Sequence, residues 1–162
     1  MKKILYIDMD NIIKRRIKFL LDAAKDEDIK DQAISYVMRT LSNYATIGKD
    51  ANSASIKKIN RKATENAYKL LKEKGIKIYC KETINEHPKP LEQTWQWLKE
   101  NAHTLSIDDV WKEFCKYTMV TVTKEEDDFI KGRGLNSKGT VEERYSNIQI
   151  INLPKSPYEL YK

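Results

Sequence analysis

A chain of 162 residues has the length of one ordinary domain with a single hydrophobic core, so residues 1–162 are expected to fold as one unit. Hydrophobic residues make up 40% and charged residues 33%, with 5 Gly and 4 Pro, which excludes collagen-like, linker-like and wholly disordered chains. Thirty Lys and Arg against 24 Asp and Glu give a net charge of +6, so a polyanion is a natural partner if that charge is gathered in one place.

In chain order, Lys2 to Ile7 reads as a buried strand with Asp8 at its end. Its apolar run is far short of the ~20 residues of a membrane span and unlike a signal-peptide core, which sets the expectation of a cytoplasmic protein with no membrane partner. Asp10 or Asn11 can cap a helix in which Ile13, Ile17, Leu20, Leu21 and Ala24 recur at helical spacing. Asp31 to Leu41 predicts a second helix, and Asn43 to Ile47 a short strand ended by Gly48. Ile56, Ile59, Ala63, Ala67, Leu70 and Leu71 predict one helix up to a capping Gly75, with Lys58 and Lys62 on a shared face. Ile76 to Cys80 alternates as a strand.

His87-Pro88-Lys89-Pro90 breaks the chain before a helix with Leu91, Trp95, Leu98 and Ala102 on one face. Trp95 and Trp97 are possible base-stacking platforms, but Trp95 lies on the apolar stripe and is read as structural. Ser106 to Asp109 caps a helix through Lys116, and Thr118 to Thr123 is the clearest β-branched strand. Glu125 to Asp128 follow at once, on a helix over 125–131. Lys131 to Gly139 reads as a loop and Ile148 to Leu153 as the last strand. Cys80 and Cys115 have no zinc-ligand spacing and are read as buried thiols, with a disulfide as the alternative. Alternating strands and helices predict a three-layer α/β/α architecture around a mostly parallel sheet of about five strands.

The charge is uneven. From Lys49 to Lys81 ten basic residues face three acids, a net +7, while the remaining 20 basic and 21 acidic residues nearly cancel. A nucleic-acid footprint should therefore centre on Lys57, Lys58, Arg61, Lys62 and Lys69. A solvated Lys-rich helix gives the same pattern.

In an open α/β sheet the working site lies beyond the carboxyl ends of the strands. Asp8 and Asp10 follow the first strand and Glu125 to Asp128 a later one, so the two acidic groups meet if those strands are neighbours. Crowded carboxylates repel unless a cation joins them, and oxygen ligands suit Mg²⁺ or Mn²⁺, which orient a water and stabilise charge on a phosphate. The plainer alternative is that Glu125 to Asp128 only cap their helix.

The opening Ile4-Leu5-Tyr6-Ile7-Asp8-Met9-Asp10-Asn11-Ile12 resembles that of NYN domains of the PIN-like nuclease superfamily, whose first strand runs into Asp-x-x-Asn. Val122-Thr123-Lys124-Glu125-Glu126-Asp127-Asp128-Phe129 is similar to their later Ser-x-Asp-x-Asp-Phe motif, with Lys124 in place of Ser and Glu126 in place of the earlier Asp. The resemblance implies a PIN-like fold and a metal-dependent nuclease that cleaves RNA. Asp8, Asn11, Glu126 and Asp128 would be catalytic, and Asp8, Asp10, Asp108 and Asp128 would hold Mg²⁺ or Mn²⁺. The mid-chain acid falls best on Asp108 or Asp109.

The same opening is also similar to haloacid dehalogenase-like 5'-nucleotidases, which implies Asp8 as a nucleophile forming an aspartyl-phosphate and Asp10 as acid/base. A noncatalytic nucleic-acid-binding module is the third reading, motivated by Lys124 and the unplaced middle acid.

Overall fold

The computed structural model describes residues 11–26 and 32–161. The expected strand at 2–7, with Asp8 and Asp10, lies outside the described residues. Helix α1 (Asn11–Ala24) buries Ile13, Ile17, Leu20 and Leu21, the stripe its spacing predicts. It packs with α2 (Gln32–Ile47), α5 (Leu91–Asn101) and α6 (Ile107–Lys116) around Leu41, Leu98 and Val110, all fully excluded from solvent. A capping box starts α6: the Ser106 hydroxyl accepts from the Asp109 amide, and the Asp109 carboxylate accepts from the Ser106 amide.

The second layer is a four-stranded sheet of β1 (Lys62–Thr64), β2 (Thr83–Glu86), β3 (Val120–Thr123) and β4 (Ile150–Asn152), in the order β2-β3-β1-β4. β1 runs parallel to β3 with Ala63 opposite Thr121; β4 and β2 add to the two sides antiparallel, with Ala63 opposite Ile151 and Ile84 opposite Val122. Alternation along β3 sends Val120 and Val122 to one face, against Tyr145, and Thr121 to the other. Helix α4 (Glu65–Glu82) covers the sheet with Ala67, Leu71 and Tyr79. α3 (Ser53–Ile59), α7 (Lys124–Gly132) and the one-turn helices α8 (Val141–Arg144) and α9 (Pro157–Leu160) complete the described elements.

The expected mostly parallel five-stranded sheet is therefore corrected. The sheet of the described residues is small and mixed, helix predominates, and two expected strands are helical. Asn43 to Ile47 continues α2, because Tyr44 and Ala45 extend the Ile34, Met38, Leu41 stripe by one more turn against the same core. Gly48, at φ +77°, ends that helix by donating to the Tyr44 carbonyl. Ile76 to Cys80 is helical too. Its apparent alternation hides the spacing Ile76, Tyr79, Cys80, which is that of a helical face and packs on the sheet core.

The expected single helix from Ile56 up to Gly75 is instead α3, β1 and the first part of α4. Asn60 makes the break: its side-chain oxygen accepts from the Lys62 amide at 3.0 Å and its Nδ2 donates to the Met119 carbonyl at 2.9 Å, turning the chain into the sheet. Thr64 then caps α4 through the Ala67 amide. Lys58 and Lys62 accordingly sit on different elements. Cys80 and Cys115 are free thiols, half-buried and exposed, so the reading of two buried thiols is corrected as well.

Gly75 divides α4 with φ 75° and ψ 176°, a conformation essentially confined to glycine. A Cβ there would meet no atom within 4 Å, so Gly75→Ala carries backbone strain alone and is expected to destabilise by about 1–3 kcal/mol in urea denaturation. Gly132→Ala, equally uncrowded and without a positive φ, is expected to be neutral or slightly stabilising.

Candidate functional site

The parallel pair β1 and β3 delivers two helix N-termini side by side, and Glu126 fills the space between them. Its carboxylate accepts from the Thr64 hydroxyl at 2.6 Å, from the Thr123 amide at 2.9 Å and from Asn66 Nδ2 at 3.0 Å. The Thr123 hydroxyl accepts in turn from the Glu126 amide, closing a capping box. A buried carboxylate with these three donors holds β1, α4 and α7 together.

The neighbouring acids diverge. Asp127 is buried and pairs with Lys131 at 2.5 Å, while Asp128 and Phe129 are exposed, Phe129 beneath the Arg133 guanidinium. Asp108 lies exposed in the first turn of α6, in the helical layer, whereas α7 packs on β2 and β3. Asn11 is exposed at the start of α1. Asp8 and Asp10 lie outside the described residues, and with them one half of the expected cation site. Among the described residues no three His, Cys, Asp or Glu side chains cluster as metal ligands.

The basic residues also separate. Lys57 is buried, its ammonium donating to the Cys80 carbonyl at 2.8 Å, and burial holds its pKa below the ordinary lysine value. Arg61 is exposed but its Nε donates to the Leu153 carbonyl at 2.8 Å, which ties β1 to the end of β4. Lys62 is half-buried in β1, and burial lowers its pKa as well. Lys58 and Lys69 remain exposed, and along α4 they are joined by Lys72, Lys74, Lys77 and Lys81. Among the described residues, none of Lys58, Lys69, Lys74 and Lys77 is ion-paired.

Sequence reasoning missed a second locus, a cleft of about 790 Å³ where α2 and α5 meet the end of β2, α7 and α8. Glu86, at the end of β2, accepts from the Tyr145 hydroxyl and from Arg144 Nη2. Burial raises the Glu86 pKa; Tyr145 and Arg144 oppose that rise, and Asp127 adds to it. Burial, with the Glu86 charge beside it, also drives the Tyr145 phenol up. Arg144 is fully buried and its Nη1 donates to the carbonyls of Leu135, Asn136 and Lys138, pinning the glycine-bearing loop to the sheet edge. Gln93 of α5 holds the same loop through the Gly139 carbonyl. The run Asn85-Glu86-His87 before Pro88 was the available signal. Polar residues at a strand end next to a proline are easily read as a plain chain break.

Desolvation, with the charges of Arg39 and Arg144, holds the His87 pKa down at about 4. The folded protein therefore keeps His87 neutral through a range in which the unfolded chain, titrating near 6.5, takes up a proton. The unfolded state binds more protons there, so His87 makes stability fall as pH drops from about 6.5 to about 4, with a slope of up to about 1.4 kcal/mol per pH unit. Urea denaturation across that window should show a shallower decline in His87→Gln.

No family model, curated protein or solved structure matches the chain. No helix among the described residues is long and apolar enough to cross a membrane.

Proposed function

We propose that the protein binds nucleic acid, with RNA as the favoured class, through the exposed lysines of α4 and the adjoining Lys58. The supporting observation is that Lys69, Lys72, Lys74, Lys77 and Lys81 are all exposed along one covering helix, in a window of net +7, while the rest of the chain is nearly neutral. Unpaired surface ammonium groups release condensed counterions when they meet phosphates, and that release makes such binding steeply salt-dependent.

The test is fluorescence anisotropy with labelled single-stranded RNA and DNA over a salt series. Affinity is expected to fall as salt rises, and the triple variant Lys69→Glu, Lys74→Glu, Lys77→Glu is expected to bind at least tenfold more weakly with a shallower salt slope. Absence of binding at low salt, or binding indifferent to the triple reversal, refutes this reading.

Metal-dependent cleavage of the bound strand is the second reading, favoured by Asp8-Met9-Asp10-Asn11 following an apolar run. Glu126 is committed to holding helix ends together, so Asp8, Asp10 and the exposed Asp128 are the carboxylates left for a cation. Incubation with labelled RNA and Mn²⁺ tests it: cleavage should appear and disappear in Asp8→Asn. Binding without turnover in any metal would leave a noncatalytic module.

A further inference from the structure

The sheet of the described residues ends in an open edge. β4 is its last strand and is joined only to β1. The Leu153 amide donates to the Arg61 carbonyl at 2.7 Å and the Glu65 amide to the Gln149 carbonyl at 2.9 Å, which extends that pairing over residues 149–153. These two bonds bracket Lys62 opposite Asn152 and Thr64 opposite Ile150, so both are non-hydrogen-bonded pairs of the antiparallel ladder, and Ala63 opposite Ile151 is the bonded pair. Ile151 therefore spends its amide and carbonyl on β1, while those of Ile150 and Asn152 point away from the sheet. Among the described residues nothing pairs with them on that side.

Sheet edges are ordinarily guarded by lysine, proline or a bulge. The run Gln149-Ile150-Ile151-Asn152-Leu153 holds none of these and no charge, and Ile150 and Ile151 are only half-buried. Both of its ends are closed. Asn147, at φ 64°, turns the chain out of the strand on one side, and Pro154, which has no amide to donate, stops it on the other. What remains open is a short stretch centred on Ile151. A strand that fills it without overrunning either end must be equally short and centred the same way, and a second copy of the same run, laid antiparallel, meets that condition.

We propose that two copies of this chain pair through β4 about a two-fold axis at Ile151, joining their sheets into one. In that register Ile150 of one copy lies opposite Asn152 of the other, and every outward amide on either edge meets an outward carbonyl. Ile151 faces Ile151 of the second copy as a non-hydrogen-bonded pair, the closest side-chain approach an antiparallel ladder offers. Glu65, in the row of Gln149, falls in line with Arg61 of the second copy, in the row of Leu153; both are exposed, so opposite charges share a row across the seam. The axis is perpendicular to the sheet, so the two α4 helices, which cover the Ile151 face, stand on the same side and present their lysines together. A seam this short belongs to the weak, concentration-dependent class of association. It does not depend on the nucleic-acid reading.

The experiment is sedimentation velocity of the full chain, without nucleic acid, from micromolar to millimolar concentration. The mass is expected to pass from monomer to dimer as concentration rises. Asn152→Pro removes an outward amide and no bond to β1, so it should weaken the dimer at least tenfold with the circular dichroism of the dilute protein unchanged. Cysteine cross-linking fixes the register in a Cys80→Ala, Cys115→Ala background, with copper phenanthroline as oxidant. Ile151→Cys should form a disulfide-linked dimer at least fivefold faster than Asn152→Cys, although Asn152 is the more exposed position and random collision favours it. In the two-fold register the two copies of residue 152 are offset along the strands beyond the ~7 Å Cα separation that a disulfide spans. A single monomeric species at every concentration overturns the proposal and leaves the edge to another chain. So does a dimer that survives Asn152→Pro, or one that cross-links faster through residue 152 than through residue 151.

Discussion

Arg144→Met is expected to destabilise the protein by about 3–5 kcal/mol, because it strands the buried Glu86 carboxylate without its cation. It also removes the donor that the carbonyls of Leu135, Asn136 and Lys138 share, so the loop loses its anchor at the same time. For a chain of this size the loss corresponds to a fall in Tm of roughly 10 °C. Two further readings separate this cause from loss of packing alone. The double variant Glu86→Gln, Arg144→Met should be less destabilised than the sum of its single changes, since the unpaired charge is gone. The defect of Arg144→Met should also shrink on acidification. Without the arginine the Glu86 pKa rises further, the folded state takes the proton first, and stability is recovered as pH falls through that pKa. Thermal denaturation at several pH values checks both.

Glu126→Ala is expected to cost about 2–4 kcal/mol, because hydrogen bonds to a charged acceptor are each worth roughly 1.5–3 kcal/mol and three donors lose it together. The Thr64 hydroxyl is fully buried, so water cannot replace the lost partner there. Glu125→Ala, one residue away and exposed, should fall within about 0.5 kcal/mol of the parent. Urea denaturation of the two variants is the comparison. Equal stability would mean that Glu126 does not bridge β1 and α7.

The same carboxylate shows how far the sequence could be read. Glu126 stood out because four acids follow a β-branched strand, a pattern shared by metal sites and helix caps. The Thr123–Glu126 cap is itself local, and only the neighbouring N-terminus of α4, brought alongside by the parallel pairing of Ala63 and Thr121, adds Thr64 and Asn66 as further donors to the same carboxylate. Lys57 makes the same point with the opposite charge. It lies in the basic window, yet its stem is buried and its ammonium is taken by the Cys80 carbonyl, a residue 23 positions away. Trp97, a candidate stacking platform, is covered by the Lys89 ammonium, which itself pairs with Glu113 at 2.6 Å.

Local, short-range physics was legible throughout. The stripes of α1 and α5, the Ser106 cap, the β-branched strand at 120–123 and the breaks at Gly48 and Gly75 all follow from spacing and side-chain chemistry within one or two turns. The localisation of positive charge is likewise a property of the sequence alone. Tertiary structure decided what local preference left degenerate. Ile76 to Cys80 and Asn43 to Ile47 fit either period, and the layer they pack against selects helix for both. Asn60 turns the chain because the Met119 carbonyl, 59 residues away, is there to accept its amide. The cleft gathers residues from α2, β2, α5, α7 and α8, segments that carry no mutual signal in the sequence, because burial and hydrogen bonding act between neighbours in space wherever they lie along the chain.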